Sequence, residues 1–183
     1  AAFQRRPAVA ALAEAGDCRA ALEGRAPLER DARLEPARTL LETAAGRISA
    51  AEEALSRGRG LDAIARASEA KSGLRAAILA ARLTRAKILV AHARIMESRG
   101  ARFRARWTMG RARRALARAE AFAGAADADA SKQIRAEIDA ARQLLRAGKN
   151  ARAPLAGVEA KISALVGRGY GPWRGRHRAG EGG

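Results

Sequence analysis

Residues 61–98 read LDAIARASEAKSGLRAAILAARLTRAKILVAHARIMES, and this stretch decides the fold class. It contains no proline, and Gly73 is its one glycine. An uninterrupted helix of this length would extend roughly 55 Å at 1.5 Å per residue. Its apolar residues recur in alternating steps of four and three, the heptad spacing of a helix that packs against other helices. We therefore predict that it forms the long central helix of a bundle.

Two apolar strips run along this stretch, and we expect neighbouring helices to cover both. The heptad seam consists of Leu74, Ile78, Ala81, Arg85, Ile88, His92, Ile95 and Arg99. The second strip consists of Leu79, Leu83, Ala86 and Val90. If the seam is buried, replacing Ile88 by Ala should destabilise the fold by about 2–5 kcal/mol. We interpret His92 as a core histidine, because no Cys, Asp or Glu lies three or four residues away to share a metal.

The rest of the chain has the composition of a helical protein. Alanine supplies 50 of the 183 residues, aromatic residues make up 3%, and few apolar residues alternate as strands require. We predict an all-α antiparallel bundle built from helix hairpins, with a single domain over residues 1–166. Residues 48–71 align without a gap with residues 138–161, with Gly58 matching Gly148. The alignment suggests related hairpins at 36–72 and 129–166.

Charge is the strongest indication of function. The net charge of +17 and the pI near 11.6 favour binding to a polyanion: nucleic acid, an anionic membrane surface or an acidic protein. A GC-rich genome also enriches Arg, Ala and Gly. Codon drift does not explain the distribution, however. Residues 73–119 carry thirteen basic side chains and one acidic one, whereas residues 21–45 sum to −1.

The most basic segment is predicted to form a helix over residues 101–123. Small residues line one face of it, and aromatic and arginine side chains share the other. Stacked bases and neutralised phosphates would use both residue types, so this face predicts RNA binding. In the alternative interpretation, Gly100 and Gly110 bracket a loop whose aromatics pack onto the core. The predicted nucleic-acid-binding residues here are Arg102, Phe103, Arg104, Arg106, Trp107, Arg111, Arg114 and Arg118.

A second basic segment lies near the C-terminus. Residues 167–183 are rich in Gly and Arg and are predicted to form a flexible tail that becomes ordered on nucleic acid. The alternative is a solvated terminus without a ligand. The residues predicted to bind nucleic acid here are Arg168, Tyr170, Trp173, Arg174, Arg176 and Arg178.

Catalytic and metal-binding patterns are missing from the sequence. It has two histidines, one cysteine and no glycine-rich phosphate loop, so we expect no catalysis, no cofactor and no metal. No apolar run reaches the length of a membrane span. The basic, acid-poor start without methionine suggests either a removed targeting segment or a trimmed sequence, and the first interpretation favours an organelle, mitochondrial or plastid. The bacterial cytoplasm is the other location that we expect.

These observations together predict a non-catalytic subunit of a large ribonucleoprotein, similar to an organellar or bacterial ribosome. Its partners would be RNA and neighbouring protein subunits. One alternative is an accessory subunit of a membrane-associated complex that contacts acidic subunits or anionic lipid. Another is a free-standing helical domain without a polyanionic partner.

Overall fold

A computed structural model describes residues 5–13, 15 and 35–174, and all the regular structure within them is helical. The first helix, α1, covers residues 5–13. It is followed by α2 (Glu35–Ser56), α3 (Gly60–Ser98), α4 (Arg102–Glu120), α5 (Ala125–Arg146) and α6 (Arg152–Arg174). The predicted all-α fold is confirmed. With 39 residues, α3 is the longest of the described helices, as predicted.

Three glycines end three of these helices in the same way. Gly58, Gly100 and Gly148 have φ values of +74°, +76° and +70°, a region that glycine enters without steric cost. The residue after each glycine donates its N–H to the carbonyl five positions back, in the pairs Arg59 to Ala54, Ala101 to Met96 and Lys149 to Leu144. This bond satisfies a free helix-end carbonyl and lets the next helix begin within a few residues.

The chain packs as two compact units, Ala1–Ile78 and Leu79–Gly183, where the sequence predicts a single domain over residues 1–166. In the first unit, Arg47 of α2 and Glu69 of α3 form an ion pair of 3.1 Å. Both residues lie eleven positions from Gly58, as partners do when two helices run antiparallel from a turn. The buried residues of the apolar cluster that joins α1, α2 and α3 are Ala8, Ala54 and Ala63.

The second unit contains the larger core, to which α3, α4, α5 and α6 all contribute. Its fully buried large side chains include Leu116, Ile138, Leu155 and Ile162, and alanines fill the positions between helices. Burying each large aliphatic side chain contributes about 1.5–3 kcal/mol. The small alanines let the helix axes approach closely, so a core poor in aromatic residues is still packed.

Ion pairs connect the helices of the second unit around this core. Glu97 is nearly buried, and its carboxylate lies 3.2 Å from the Nε of Arg152, which joins α3 to α6. The other pairs between helices are Arg94–Glu159, Arg113–Asp139, Glu120–Arg135 and Glu137–Lys161. Acidic side chains are few in this unit, and these pairs occupy most of them.

The predicted heptad seam is wrong over its second half. Leu74 and Ile78 are buried as expected, but Ile88 is only half-buried and Ile95 is 45% exposed. The expected core histidine, His92, is exposed. The buried side of α3 is instead the second strip with its continuation, namely Leu79, Leu83, Ala86, Val90, Ala93 and Glu97. The charged members of the seam, Arg85 and Arg99, explain this choice, since burying an unpaired guanidinium costs far more than exposing an isoleucine.

The gapless alignment of the two predicted hairpins holds only as far as the glycine turns. Ile48 and Ile138 are both buried at the offset of 90, as are Ala51 and Ala141. Beyond the turn, however, Ala63 is buried whereas its aligned Ala153 is exposed. Ala151, just before α6, and Leu155, Val158, Ile162 and Leu165 within it are buried, and they match buried positions of α3 at an offset of 88. The spacing between equivalent buried positions across the turn is therefore two residues shorter in the second hairpin, ten from Ala141 to Ala151 against twelve from Ala51 to Ala63. The sequence matches beyond the turn do not mark equivalent positions.

The predicted tail begins at Gly167. α6 continues as helix to Arg174, so residues 167–174 have helical backbone. Residues 175–183 lie outside the described part of the chain.

Candidate nucleic-acid interface

Helix α4 follows directly from the glycine turn at the end of α3, and its small-residue face packs inward as predicted. The buried positions are Ala105, Thr108, Met109, Gly110, Ala112, Leu116 and Ala119. At Gly110 the backbone lies close to α5, where an added Cβ would be 3.6 Å from an Arg142 nitrogen. The helix ends at Glu120, three residues before the predicted boundary. This inward packing fixes which side chains of α4 face solvent.

The two aromatic residues of α4 are on the solvent side. Phe103 is 73% exposed and Trp107, one turn later, is 58% exposed. The alternative in which these rings pack back onto the core is therefore wrong. Large aromatic side chains that remain in water forgo the favourable free energy of burial. Two neighbouring exposed aromatic residues therefore mark a contact surface more often than a single exposed leucine does.

Each ring has a guanidinium beside it. The Cζ of Arg106 is 5.6 Å from the centroid of Phe103, and the Cζ of Arg111 is 5.0 Å from the centroid of Trp107. At exposed sites such a contact contributes about 0.5–1 kcal/mol. Each of the two rings therefore has a positive charge next to it.

The exposed arginines of α4 lack carboxylate partners such as those that Arg94, Arg135 and Arg152 have elsewhere in the unit. Six of the seven acidic residues between 79 and 174 pair with a basic side chain. Arg113, which points toward α5, takes Asp139 at 2.7 Å. Among the residues that the structure describes, no carboxylate lies within 4.0 Å of Arg102, Arg104, Arg106, Arg111, Arg114 or Arg118. Their positive charge is available to an external anion.

The start of α4 adds to this potential. Ala101 provides no side-chain cap, and the first turn has no acidic residue. The partial positive charge of a helix N-terminus is thus left without the acidic residue that usually offsets it, next to Arg102 and Arg104. We name the exposed side of this helix the α4 face; it consists of Arg102, Phe103, Arg104, Arg106, Trp107, Arg111, Arg114 and Arg118.

The structure also brings basic residues to this face that the sequence pattern missed. An added Cβ on Gly148 would lie 3.5 Å from the Nη1 of Arg102, so the turn between α5 and α6 is next to the start of α4. That turn carries the exposed Arg146 and Lys149. At the other end, Arg82 of α3 stacks over Phe122 at 4.4 Å and donates a hydrogen bond to the carbonyl of Arg118. In the sequence, Gly148 is the only sign of the turn between α5 and α6.

The second group of predicted residues is not placed beside the first. Arg168, Tyr170, Trp173 and Arg174 have helical backbone in α6, and their side chains are outside the description. Arg176 and Arg178 lie outside the described residues altogether. Their role on nucleic acid stays a prediction.

Within residues 5–13, 15 and 35–174, no group of three or more His, Cys, Asp or Glu side chains is arranged to hold a metal ion. In the same residues, no helix has both the length and the apolar character to cross a membrane.

Comparisons with protein-family models, with curated proteins and with solved structures found no match. The functional interpretation therefore depends on the geometry and charge of the α4 face itself.

Proposed function

We propose that this protein is a non-catalytic RNA-binding subunit that docks on RNA through the α4 face, as an accessory component of a large ribonucleoprotein. The observation that carries the proposal is the exposure of Phe103 and Trp107 among arginines without carboxylate partners. Stacking on a base contributes about 1–3 kcal/mol per aromatic residue, and guanidiniums neutralise the adjoining phosphates.

The form of RNA that suits this face is single-stranded. Phe103 and Trp107 project from a convex helix surface, so they can stack only on bases that are already splayed out of a duplex, as in loops, bulges and ends. A duplex would offer its phosphates to the arginines but no base to the rings. The rings therefore predict a preference for unpaired RNA over duplex RNA of the same length.

The size of the face sets the expected salt dependence. From Phe103 to Arg118 the helix rises about 22 Å at 1.5 Å per residue, and its arginines can neutralise about five phosphates. For single-stranded RNA, log K should then fall with log salt concentration at a slope of about −3.5. If RNA instead contacted an unstructured basic segment, the salt slope would not depend on the arginines of α4.

A charge reversal with a matched control tests the proposal. The test variant replaces Arg111, Arg114 and Arg118 by Glu, and the control replaces the exposed Arg5, Arg6 and Lys132 by Glu. Both variants change the net charge by the same amount. Binding to a labelled oligouridine is measured by fluorescence anisotropy over a range of salt concentrations, with circular dichroism to verify that both variants fold.

We expect the test variant to lose binding at moderate salt, and the control to keep a slope near that of the parent. Equal losses in the two variants would mean that binding follows net charge alone. A test variant that binds as tightly as the parent with the same slope would show that the α4 face does not contact RNA. Binding to phosphatidylserine vesicles but not to oligouridine would favour the alternative of a membrane-associated subunit.

A further inference from the structure

A second uncovered surface lies on α3 in the unit formed by residues 79–183. It is the part of the predicted heptad seam that is not fully buried, and we name it the outer α3 face: Ala81, Arg85, Ile88, His92, Ile95 and Arg99. Ile95 is 45% exposed, and Ile88 is half-buried. His92 lies between the two isoleucines and Arg85 and Arg99 lie on either side of them, and all three of these side chains are exposed. These positions still recur in steps of four and three over about five turns of helix.

The end of this face opens into a groove against α6. The groove has a volume of about 480 Å³ and is lined by Arg94, Ile95, Ser98, Arg152, Ala153 and Ala156. Ile95, Ala153 and Ala156 are its apolar lining residues. Because the alanines are small, a partner backbone could approach them closely.

Charge limits what can occupy the surface. Between Leu79 and Ser98 the one acidic residue is Glu97, which is nearly buried and paired with Arg152. The one acidic residue of α6, Glu159, is held at 3.5 Å by Arg94, which lines the groove. The exposed charges of the face are therefore positive, from Arg85 and Arg99. A partner that covers the isoleucines must tolerate or supply negative charge next to its apolar side chains.

We propose that the outer α3 face docks an acidic amphipathic helix of a partner protein. The occupant would carry aliphatic residues at heptad spacing, to pack on Ile88 and Ile95, with flanking Glu or Asp to meet Arg85 and Arg99. This proposal is independent of RNA binding by the α4 face. The two surfaces differ in chemistry. The α4 face is aromatic and rich in arginine, whereas the outer α3 face presents aliphatic residues at heptad spacing.

Other occupants fit the surface less well. Isoleucine has no flat ring on which a base can stack, so RNA would use the arginines and leave the apolar groove uncovered. A second copy of this chain would bring the same positive face against itself, which like charge disfavours.

A designed peptide can test the proposal without knowledge of the natural partner. The probe is a 21-residue helical peptide with Leu at heptad a and d positions and Glu at e and g. One control peptide has the same composition in scrambled order, and another has Lys in place of each Glu. Binding to the full chain is measured by fluorescence anisotropy at physiological ionic strength.

We expect the ordered acidic peptide to bind at least about tenfold more tightly than either control peptide. Ile95→Ala should weaken binding about fivefold, because it removes three carbon atoms from the part of the side chain that a partner would cover. The double variant Arg85→Glu/Arg99→Glu should weaken it by about tenfold or more. Leu61→Ala and Arg5→Glu/Arg6→Glu, which change an exposed leucine and exposed arginines elsewhere, should bind like the parent.

Three results would overturn the proposal. The first is equal binding of the ordered and scrambled acidic peptides, which would mean that charge alone attracts them. The second is normal peptide binding by both Ile95→Ala and the double variant. The third is loss of oligouridine binding, but not of peptide binding, in the double variant, which would assign the face to RNA. Peptide binding that survives Arg111→Glu/Arg114→Glu/Arg118→Glu would support two separate surfaces.

Discussion

Replacing Ile138 and Ile95 separately by Ala tests the corrected packing of the second unit. Ile138 is fully buried in the core, and its substitution removes three carbon atoms, worth about 2.4 kcal/mol at about 0.8 kcal/mol each. The cavity left behind adds to this, for a total of about 3–4 kcal/mol. Ile95 is 45% exposed, so the same change should cost about 1 kcal/mol or less, partly offset by the better helix propensity of Ala.

Urea unfolding followed by far-ultraviolet circular dichroism measures the difference. With a urea m value of about 2 kcal/mol/M, Ile138→Ala should lower the midpoint by about 1.5–2 M and Ile95→Ala by about 0.5 M or less. Ile88→Ala should fall between them, because Ile88 is half-buried. Equal losses from Ile95→Ala and Ile138→Ala would refute the reasoning and restore the heptad seam as the packed side of α3.

Three further predictions concern one ion pair, two glycines and one tryptophan. Arg152→Ala should lower the free energy of unfolding by about 2–3 kcal/mol, because it leaves the nearly buried Glu97 unpaired. Glu97→Gln should cost only about 1 kcal/mol, because Arg152 is 58% exposed and can be hydrated. Equal losses of the two variants in urea unfolding would contradict this prediction. Gly46→Ala should stabilise the protein by about 0.5–1 kcal/mol, because Gly46 is at an exposed helical position with open space around it. Gly58→Ala should destabilise it by about 1 kcal/mol, because Gly58 has a φ of +74°. Thermal unfolding should therefore show opposite shifts in Tm for the two variants. Trp107→Ala should weaken oligouridine binding by about 1–3 kcal/mol without changing the salt slope, so a changed slope would argue against stacking.

The helical fold and the orientation of α4 could be predicted from the sequence for a common reason. In α4 the two sides differ in kind, with small residues on one and aromatic and charged residues on the other, so helical periodicity alone identifies the inward face. The glycine ends could be predicted in the same way, since Gly58 terminates an apolar-periodic run.

The packed side of α3 could not be predicted from periodicity, because both of its strips are apolar. Heptad continuity favoured the strip that contains Ile88 and Ile95. The energetics favour the other strip, because the seam would have placed Arg85 and Arg99 against the core without partners. In the packed strip the one charged residue, Glu97, is matched by Arg152, 55 positions away. Such a partner cannot be identified from local spacing.

The basic residues near the α5–α6 turn were missed for a similar reason. Arg146 and Lys149 belong to the same surface as Arg102 because the glycine turns at 100 and 148 lie at the same end of the second unit. Sequence distance separates them by more than forty residues. Contacts between turns depend on the lengths of the helices, and these were known only to within a few residues, as the shorter α4 and longer α6 show.

The fluorescence of Trp107 tests the central claim most directly. The sequence has two tryptophans, so Trp173→Phe leaves Trp107 as the single reporter, on the exposed side of α4. If RNA bases stack on this ring, oligouridine should quench its emission in a saturable way, with a midpoint that agrees with anisotropy titrations and shifts with salt at the slope of about −3.5. Unchanged emission at oligouridine concentrations that saturate the anisotropy signal would contradict the account, because RNA would then bind the protein without contacting the α4 face.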